Sequence, residues 1–279
     1  MDPVLTLAGF GVGIVVGLTG MGGGALMTPI LVLLFNVPPL AAVSSDLAAS
    51  AVMKPFGGWV HARRGTVNWA LVRWLCVGSV PSAFLGVLLT RLLGKDSSVQ
   101  QGVQYALGAA LLLAVIGLVV KAYTARRQPP ESGPPEPVRV RRVATALLGA
   151  AGGLVVGLTS VGSGSLIIVL LLALYPKLRA NHLVGTDLVQ AIPLVAAAAL
   201  GHLFFGDLRL DLAAAILIGS IPGVLLGARL SARAPARTVR TALIVVLLAS
   251  ALKLFGVSGP VVLAAAVISL TIAAALGLR

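Results

Sequence analysis

Long apolar runs separated by short polar segments fill the chain from residue 4 to residue 278. Six of them, 40–60, 69–90, 99–120, 181–204, 210–228 and 238–255, predict helices. Each is close to the roughly 20 residues that cross a bilayer core as a helix. Two other runs, 4–35 and 143–175, are interrupted by glycine: residues 15–24 read VVGLTGMGGG and residues 155–164 read VVGLTSVGSG. A last run, 259–278, predicts one more span.

The interruptions belong to a duplication. Asp46-Leu47 matches Asp187-Leu188, His61 matches His202, Gly65 matches Gly206, Gly78 to Pro81 matches Gly219 to Pro222, and Gly86 matches Gly227, all at a spacing of 141. The expected organisation is repeat 1 over 1–123, a flexible cytoplasmic linker over 124–142, repeat 2 over 143–258 and an additional helix over 259–279. The linker, rich in proline and charge, cannot bury itself. Gly9, Gly13 and Gly17 recur as Gly149, Gly153 and Gly157, and Gly78, Ser82 and Gly86 as Gly219, Gly223 and Gly227. Small residues at every fourth position form ridges that let helix backbones approach closely.

The arms after the glycines, 25–35 and 165–175, are 11 residues each. At about 1.5 Å per residue they reach roughly half a bilayer, which predicts half-helices in re-entrant hairpins. Charge favours this. If each broken segment crossed once, the loop Lys and Arg would divide 11 to 9; if each returns to its side of entry they divide 16 to 4. The second division fits an orientation set by basic cytoplasmic loops. The predicted fold is therefore all-α: a polytopic membrane protein of two inverted repeats, each a re-entrant broken helix plus three spans, with one extra C-terminal span. It sits in the cell membrane (the inner membrane of a Gram-negative cell), with the N-terminus outside and the C-terminus cytoplasmic.

Composition agrees, with 58% hydrophobic and 10% charged residues and a mean hydropathy of +1.04. The net charge of +13 comes from basic residues lying between apolar runs, so they set topology and meet lipid headgroups; nucleic acid is not expected as a partner. Cys76 is alone, which excludes a disulfide framework and a cysteine metal site. Asp2 is the only charge before the first apolar run, so the basic start of a signal peptide is missing and that run is expected in the mature chain. No phosphate-binding G-x-x-x-x-G-K-[ST] loop, nucleophile–base set or metal cluster occurs, so neither an enzyme nor a cofactor is expected and the driving force is a gradient.

Unwound glycine-lined backbone is costly in lipid and persists where it lines a cavity; paired breaks in two halves of a chain point to a transporter's substrate site. Gly20, Gly22, Gly23 and Gly24, with Gly162 and Gly164, are candidate donors of backbone N–H groups to an anion, at helix N-termini whose dipoles favour it. Thr19, Thr159, Ser160, Ser163 and Ser165 add hydroxyls. Lys54 is the only basic residue deep in a predicted span and attracts an anion, or else snorkels to the cytoplasmic end. Its repeat counterpart is Val195. Asp46 and Asp187 are candidates for binding a coupling proton or cation, with helix capping as the plain alternative. Gln190 lies one turn after Asp187 on a helical face and is a candidate donor to substrate. His61 and His202 stand at span ends and favour interfacial packing over proton relay. Pro55, Pro81, Pro193 and Pro222 are expected to kink their helices.

With G-L-T-G-M-G-G-G at 17–24, G-L-T-S-V-G-S-G at 157–164, V-G-T-D-L at 184–188 and G-S-x-P-x-x-x-x-G at 78–86 and 219–227, the chain resembles the TauE/SafE sulfite-exporter family of four-helix-repeat permeases. The resemblance covers residues 5 to 256. It implies a permease, often an exporter, for sulfite, sulfoacetate or related organosulfonates and organic acids. The expected activity is secondary transport of a small anion by alternating access; an anion channel and a non-transporting membrane assembly protein are the alternatives. The expected partners are the anionic substrate, the bilayer and, as a candidate, a second copy of the chain in a homodimer.

Overall fold

The computed structural model describes residues 3–19, 23–63, 65–94, 96–127, 139–176, 178, 180–205, 208–230 and 236–275. Among these the secondary structure is helical: α1 (Pro3–Thr19), α2 (Gly24–Leu33), α3 (Pro39–Arg63), α4 (Trp69–Leu93), α5 (Ser97–Arg127), α6 (Arg142–Thr159), α7 (Leu166–Leu174), α8 (Ala180–Phe205), α9 (Leu210–Leu230), α10 (Ala236–Leu254) and α11 (Gly259–Ala275). The two arms expected after the glycine breaks are α2 and α7, of 10 and 9 residues. Residues 128–138, most of the expected linker, lie outside the described residues.

Among the described residues, five helices are long and apolar enough to cross a membrane: Trp69–Leu93, Ser97–Val120, Arg142–Thr159, His182–Phe205 and Leu210–Gly227. α3 is as long as α4, at 25 residues, but its apolar run is interrupted by Ser44, Ser45, Asp46, Ser50 and Lys54. α10, of 19 residues, carries Arg237, Arg240 and Lys253 near its ends. Local signals fix several boundaries. Asn68 caps α4 by accepting from the Leu71 N–H at 3.2 Å, and Gly94 ends it at φ 90°. Pro29, Pro55, Pro81, Pro193 and Pro222 all lie inside helices.

The halves interlock by exchange. α1 packs along α9, and α6 packs along α4. Glycine makes both contacts possible, and they match residue for residue. A Cβ at Gly9 or Gly13 would press on the carbonyls of Ile216 and Ser220, and one at Gly149 or Gly153 on those of Leu75 and Ser79. In return, Gly219 and Gly227 lie on the carbonyls of Thr6 and Ile14, and Gly78 and Gly86 on those of Ala146 and Leu154. In both pairs the contacting numbers rise together, so the helices run parallel. α3 and α8 meet in the opposite sense: Ser44 contacts His202, Gly58 contacts Ile192, and Gly185 contacts Thr66. These two repeat-equivalent helices are therefore antiparallel.

Contacts also separate two ends of the molecule. At one, the Asn68 N–H donates to Thr186 Oγ1 at 3.0 Å, the Arg142 guanidinium lies over Trp74, and the Tyr175 hydroxyl meets both Thr145 Oγ1 (2.5 Å) and the Arg141 N–H (2.9 Å). The end of α7 is thus back beside the start of α6. At the other end, the Leu40 N–H donates to Gln100, Gln104 donates to the Leu254 carbonyl, and Arg91 lies over Phe205.

The glycine ridges carry a direct expectation. Gly78→Ala places a methyl where the Ala146 carbonyl sits and should lower stability by about 1–3 kcal/mol. Gly11, with nothing within 4 Å of its would-be Cβ, should accept alanine without loss. Thermal unfolding in detergent compares the two; equal midpoints would rule out the ridge as a structural constraint.

Candidate substrate site at the paired breaks

The break between α6 and α7 needs unusual backbone. Ser160, Gly162 and Gly164 have φ of 61°, 125° and 100°, a region open to glycine and strained for most other residues. Thr159 helps to hold this turn: its hydroxyl donates to the Val155 carbonyl at 2.7 Å and accepts from the Val161 N–H at 3.2 Å. In the first copy, Gly20, Gly22 and the Thr19 side chain lie outside the described residues. Gly23 precedes α2 and Ser165 precedes α7, and neither helix start has a side-chain cap.

The two breaks touch. A Cβ on Gly24 would overlap the carbonyl and hydroxyl oxygens of Ser160, so only glycine allows the start of α2 to lie against the α6–α7 turn. Polar side chains of α3 meet the breaks, and those of α8 bond to each other and to α4. Asp46 Oδ2 accepts from Ser160 Oγ at 2.5 Å and from Thr28 Oγ1 of α2 at 3.1 Å. Lys54 Nζ donates to Ser163 Oγ, and its charge interacts with both Asp187 and Asp46. Gln190 Nε2 donates to Asp187 Oδ1 at 3.3 Å, and Gln190 Oε1 accepts from Ser79 Oγ at 3.2 Å. Asp46, Lys54, Ser160, Ser163, Ser165, Asp187 and Gln190 are all buried.

Several expectations change. α3 begins at Pro39 and α8 at Ala180, so Asp46 and Asp187 sit two turns inside their helices and do not cap them. Lys54 turns inward to Ser163 instead of snorkelling. Gln190, a candidate donor to substrate, bonds to Ser79 and Asp187. His202 lies in the last turn of α8 and is 1% exposed, with Nδ1 2.7 Å from Ser44 Oγ and Nε2 3.1 Å from the Gly157 carbonyl. The His61 side chain lies outside the described residues.

Thr28 and Ser79 are site residues that sequence reasoning passed over. Thr28 is the hydroxyl in an otherwise apolar half-length arm, and Ser79 stood inside a motif read as packing. A hydroxyl in so apolar a segment needs a partner, and that was the available signal. Among the described residues no cluster of three His, Cys, Asp or Glu side chains is placed to hold a metal ion. A groove of about 490 Å³ between α1, α2 and α10, lined by apolar side chains and Thr238, shares none of the polar groups above.

Long apolar helices around a buried polar centre made by two helix breaks define a multi-pass membrane protein of the transporter class. The chain belongs to the sulfite exporter TauE/SafE family, whose model matches residues 5–254. It is 39% identical over 255 residues to the probable membrane transporter protein YjnA of Bacillus subtilis (strain 168), covering 91% of this chain and all of that one. It is 26% identical over 242 residues to the probable membrane transporter protein YdhB of the same organism, covering 86% and 94%. No solved structure matches.

Ser160→Ala and Thr28→Val each remove a donor from buried Asp46 and should cost about 0.5–2 kcal/mol of stability. Ser269→Ala, whose hydroxyl only meets the Ala266 carbonyl of its own helix, should stay within about 0.5 kcal/mol. Unfolding of the purified variants checks this; if all three match the parent, Asp46 does not depend on these hydroxyls.

Proposed function

We propose that the protein is a secondary transporter of small anions, sulfite or an organosulfonate or organic acid, working by alternating access. The observation that carries this is the meeting of the two breaks at Gly24 and Ser160, with the Lys54 ammonium on Ser163 beside them. An anion there would meet hydroxyls, a buried cation and the uncapped start of a half-helix, all of which favour negative charge. The family's description supports sulfite and export, which we take as the working substrate and direction.

The frame for alternating access is an inverted repeat with re-entrant hairpins. The antiparallel pairing of α3 with α8 supports the inversion, since equivalent helices related by an axis in the membrane plane run oppositely. The Tyr175 contacts, which bring the end of α7 beside the start of α6, support the return of the second hairpin to its side of entry. Arg63, Arg139, Arg141 and Arg142 cluster with that end of the molecule, which supports a cytoplasmic location for it and an external N-terminus. The carboxylates Asp46 and Asp187 are the coupling groups.

In proteoliposomes, uptake or release of sulfite, sulfonates, sulfate and carboxylates with and without a pH gradient tests the reading. Saturable flux of one anion class is expected. Flux linear in concentration without uphill accumulation would make the protein a channel, and inertness to every anion would end the transport reading. Lys54→Ala should weaken binding of the transported anion by tenfold or more, about 1.4 kcal/mol, while Lys253→Ala changes it little. A cysteine introduced at exposed Asn36, in a Cys76→Ser background, should react with an impermeant thiol reagent from outside. Labelling from the cytoplasm alone would reverse the orientation.

A further inference from the structure

We propose that the molecule is shut at one end by the last turns of α4 and α8 and open at the other between the last turns of α3 and α9, and that transport exchanges these two arrangements. This rests on the alternating-access reading above and adds where its two gates lie and which of them is shut.

The two interfaces are repeat counterparts. At the spacing of 141, α3 corresponds to α8 and α4 to α9, so α4 on α8 is the counterpart of α9 on α3. Both begin alike. The Asn68 N–H, at the start of α4, donates to Thr186 of α8 at 3.0 Å, and the Arg209 N–H, at the start of α9, donates to Ser45 of α3 at 3.4 Å. Asn68 corresponds to Arg209 and Thr186 to Ser45, so one contact is made twice. Because α3 and α8 are antiparallel, the two copies stand at opposite ends of the molecule. A contact kept in both copies, where the rest of the interface differs, is a pivot.

Beyond the pivots the interfaces part. α4 lies along α8 more extensively than α9 lies along α3. Ser79 Oγ donates to Gln190 at 3.2 Å, whereas its counterpart Ser220 meets Met53 Sδ at 3.1 Å. Met53 is one turn beyond Ala49, the counterpart of Gln190. Near the ends of α4 and α8, a Cβ on Gly201 would stand 3.1 Å from Val87 and 3.3 Å from Phe84, and the Phe84 and Phe205 rings meet edge to face at 5.9 Å. Val87 is buried there and Phe84 half-buried. Leu225 holds the position of Phe84 on α9 and is 56% exposed. Leu194 of α8 is buried, and its counterpart on α3, Met53, is only half-buried. One pair of helix ends is therefore closed and its counterpart, at the opposite end, is apart. Inverted repeats that trade such arrangements turn a site from one side of the membrane to the other.

Side-chain bulk is distributed so that the second pair can close. Gly201 faces Phe84 and Val87, and the residues at the counterpart positions are Val60, Leu225 and Ala228. The bulk missing from α8 is present on α3, and α9 carries less than α4, so the two sets are of similar total size. Sets of equal volume can fill equivalent interfaces.

Cysteine reactivity of the full chain in membrane vesicles, in a Cys76→Ser background, tests this with a charged, membrane-impermeant methanethiosulfonate. Leu225→Cys should react only from the membrane face opposite the one that labels Asn36→Cys. Val87→Cys, a change that nearly keeps size, should react more slowly by about tenfold or more from either face. Gly201→Val presses methyl groups onto Phe84 and Val87, and overpacking of this kind can shift a two-state equilibrium by roughly 5–150-fold. It should speed the reaction of Val87→Cys from the Asn36 face and slow that of Leu225→Cys from the other, each by about tenfold. Phe84→Ala weakens the same gate without adding bulk and should move the two rates in the same opposed directions, so the outcome does not depend on Gly201→Val folding. An unreactive Leu225→Cys, or one that reacts equally from both faces, overturns the open gate. Both rates rising together in Gly201→Val and Phe84→Ala would be simple loosening and overturns the exchange. Labelling needs no anion to move: one-sided reaction in a protein inert to sulfite, sulfonates and carboxylates would keep the gates and remove the transport reading.

Discussion

The close backbone contact between the first helix of each repeat and the third long helix of the other is the constraint on which the remaining structure depends. Lipid offers no hydrophobic drive to bring helices together, so association must come from van der Waals contact and from polar pairs. Glycines at Gly9, Gly13, Gly149 and Gly153 let α1 sink onto α9 and α6 onto α4, and Gly78, Gly86, Gly219 and Gly227 complete the fit from the other side. Each repeat thus supplies a helix to its partner, and neither half can pack fully without the other. The exchange also fixes where each chain break lies, because α1 and α6 are held along much of their length and end against the middle of the molecule.

From that placement the chemistry follows. Once α1 and α6 are locked, the starts of α2 and α7 must face inward, and Gly24 meets Ser160 with no space for a side chain. Antiparallel α3 and α8 then present Asp46 and Asp187 from opposite ends of the site, with Lys54 between them in sequence and in charge. Buried ionisable groups in a membrane interior need partners, and these find them in residues of the breaks: Ser160 for Asp46 and Ser163 for Lys54. The break between α6 and α7 therefore supplies a partner to each charged group of α3 that it meets.

Much of this was legible in the sequence, for physical reasons. Apolar run length announced the long helices, and the 11-residue arms announced α2 and α7 to within a residue or two, because a bilayer's thickness and the helix rise leave few choices. The glycine ridges were readable as close-packing faces, but not as an exchange between repeats, since spacing describes one face and says nothing of which helix covers it. Asp46 and Asp187 were readable as charged groups out of place. Their depth was not, because where a helix begins within an apolar run is poorly marked. His202 does lie near the end of α8, but its burial by α3 and α6 leaves no local sequence signal. Thr28, Ser79 and the engagement of Gln190 depend on side chains brought together from four helices, which periodicity does not encode.

The departures from symmetry are where the two repeats divide their labour. Asp46 is held by Thr28 and Ser160; the repeat positions that would serve Asp187 in the same way are Ile168 and Gly20, which have no hydroxyl. Asp187 is served instead by Gln190, whose counterpart beside Asp46 is Ala49. One carboxylate is therefore bound across elements, by groups on the breaks, and the other receives an amide from its own helix. A hydroxyl clasp that spans elements changes when the elements move; an amide one turn away on the same helix moves with its carboxylate. The backbone contacts match between the halves and the polar groups set upon them do not, so one acidic group is bonded to a break and its arm and the other to Gln190 of its own helix.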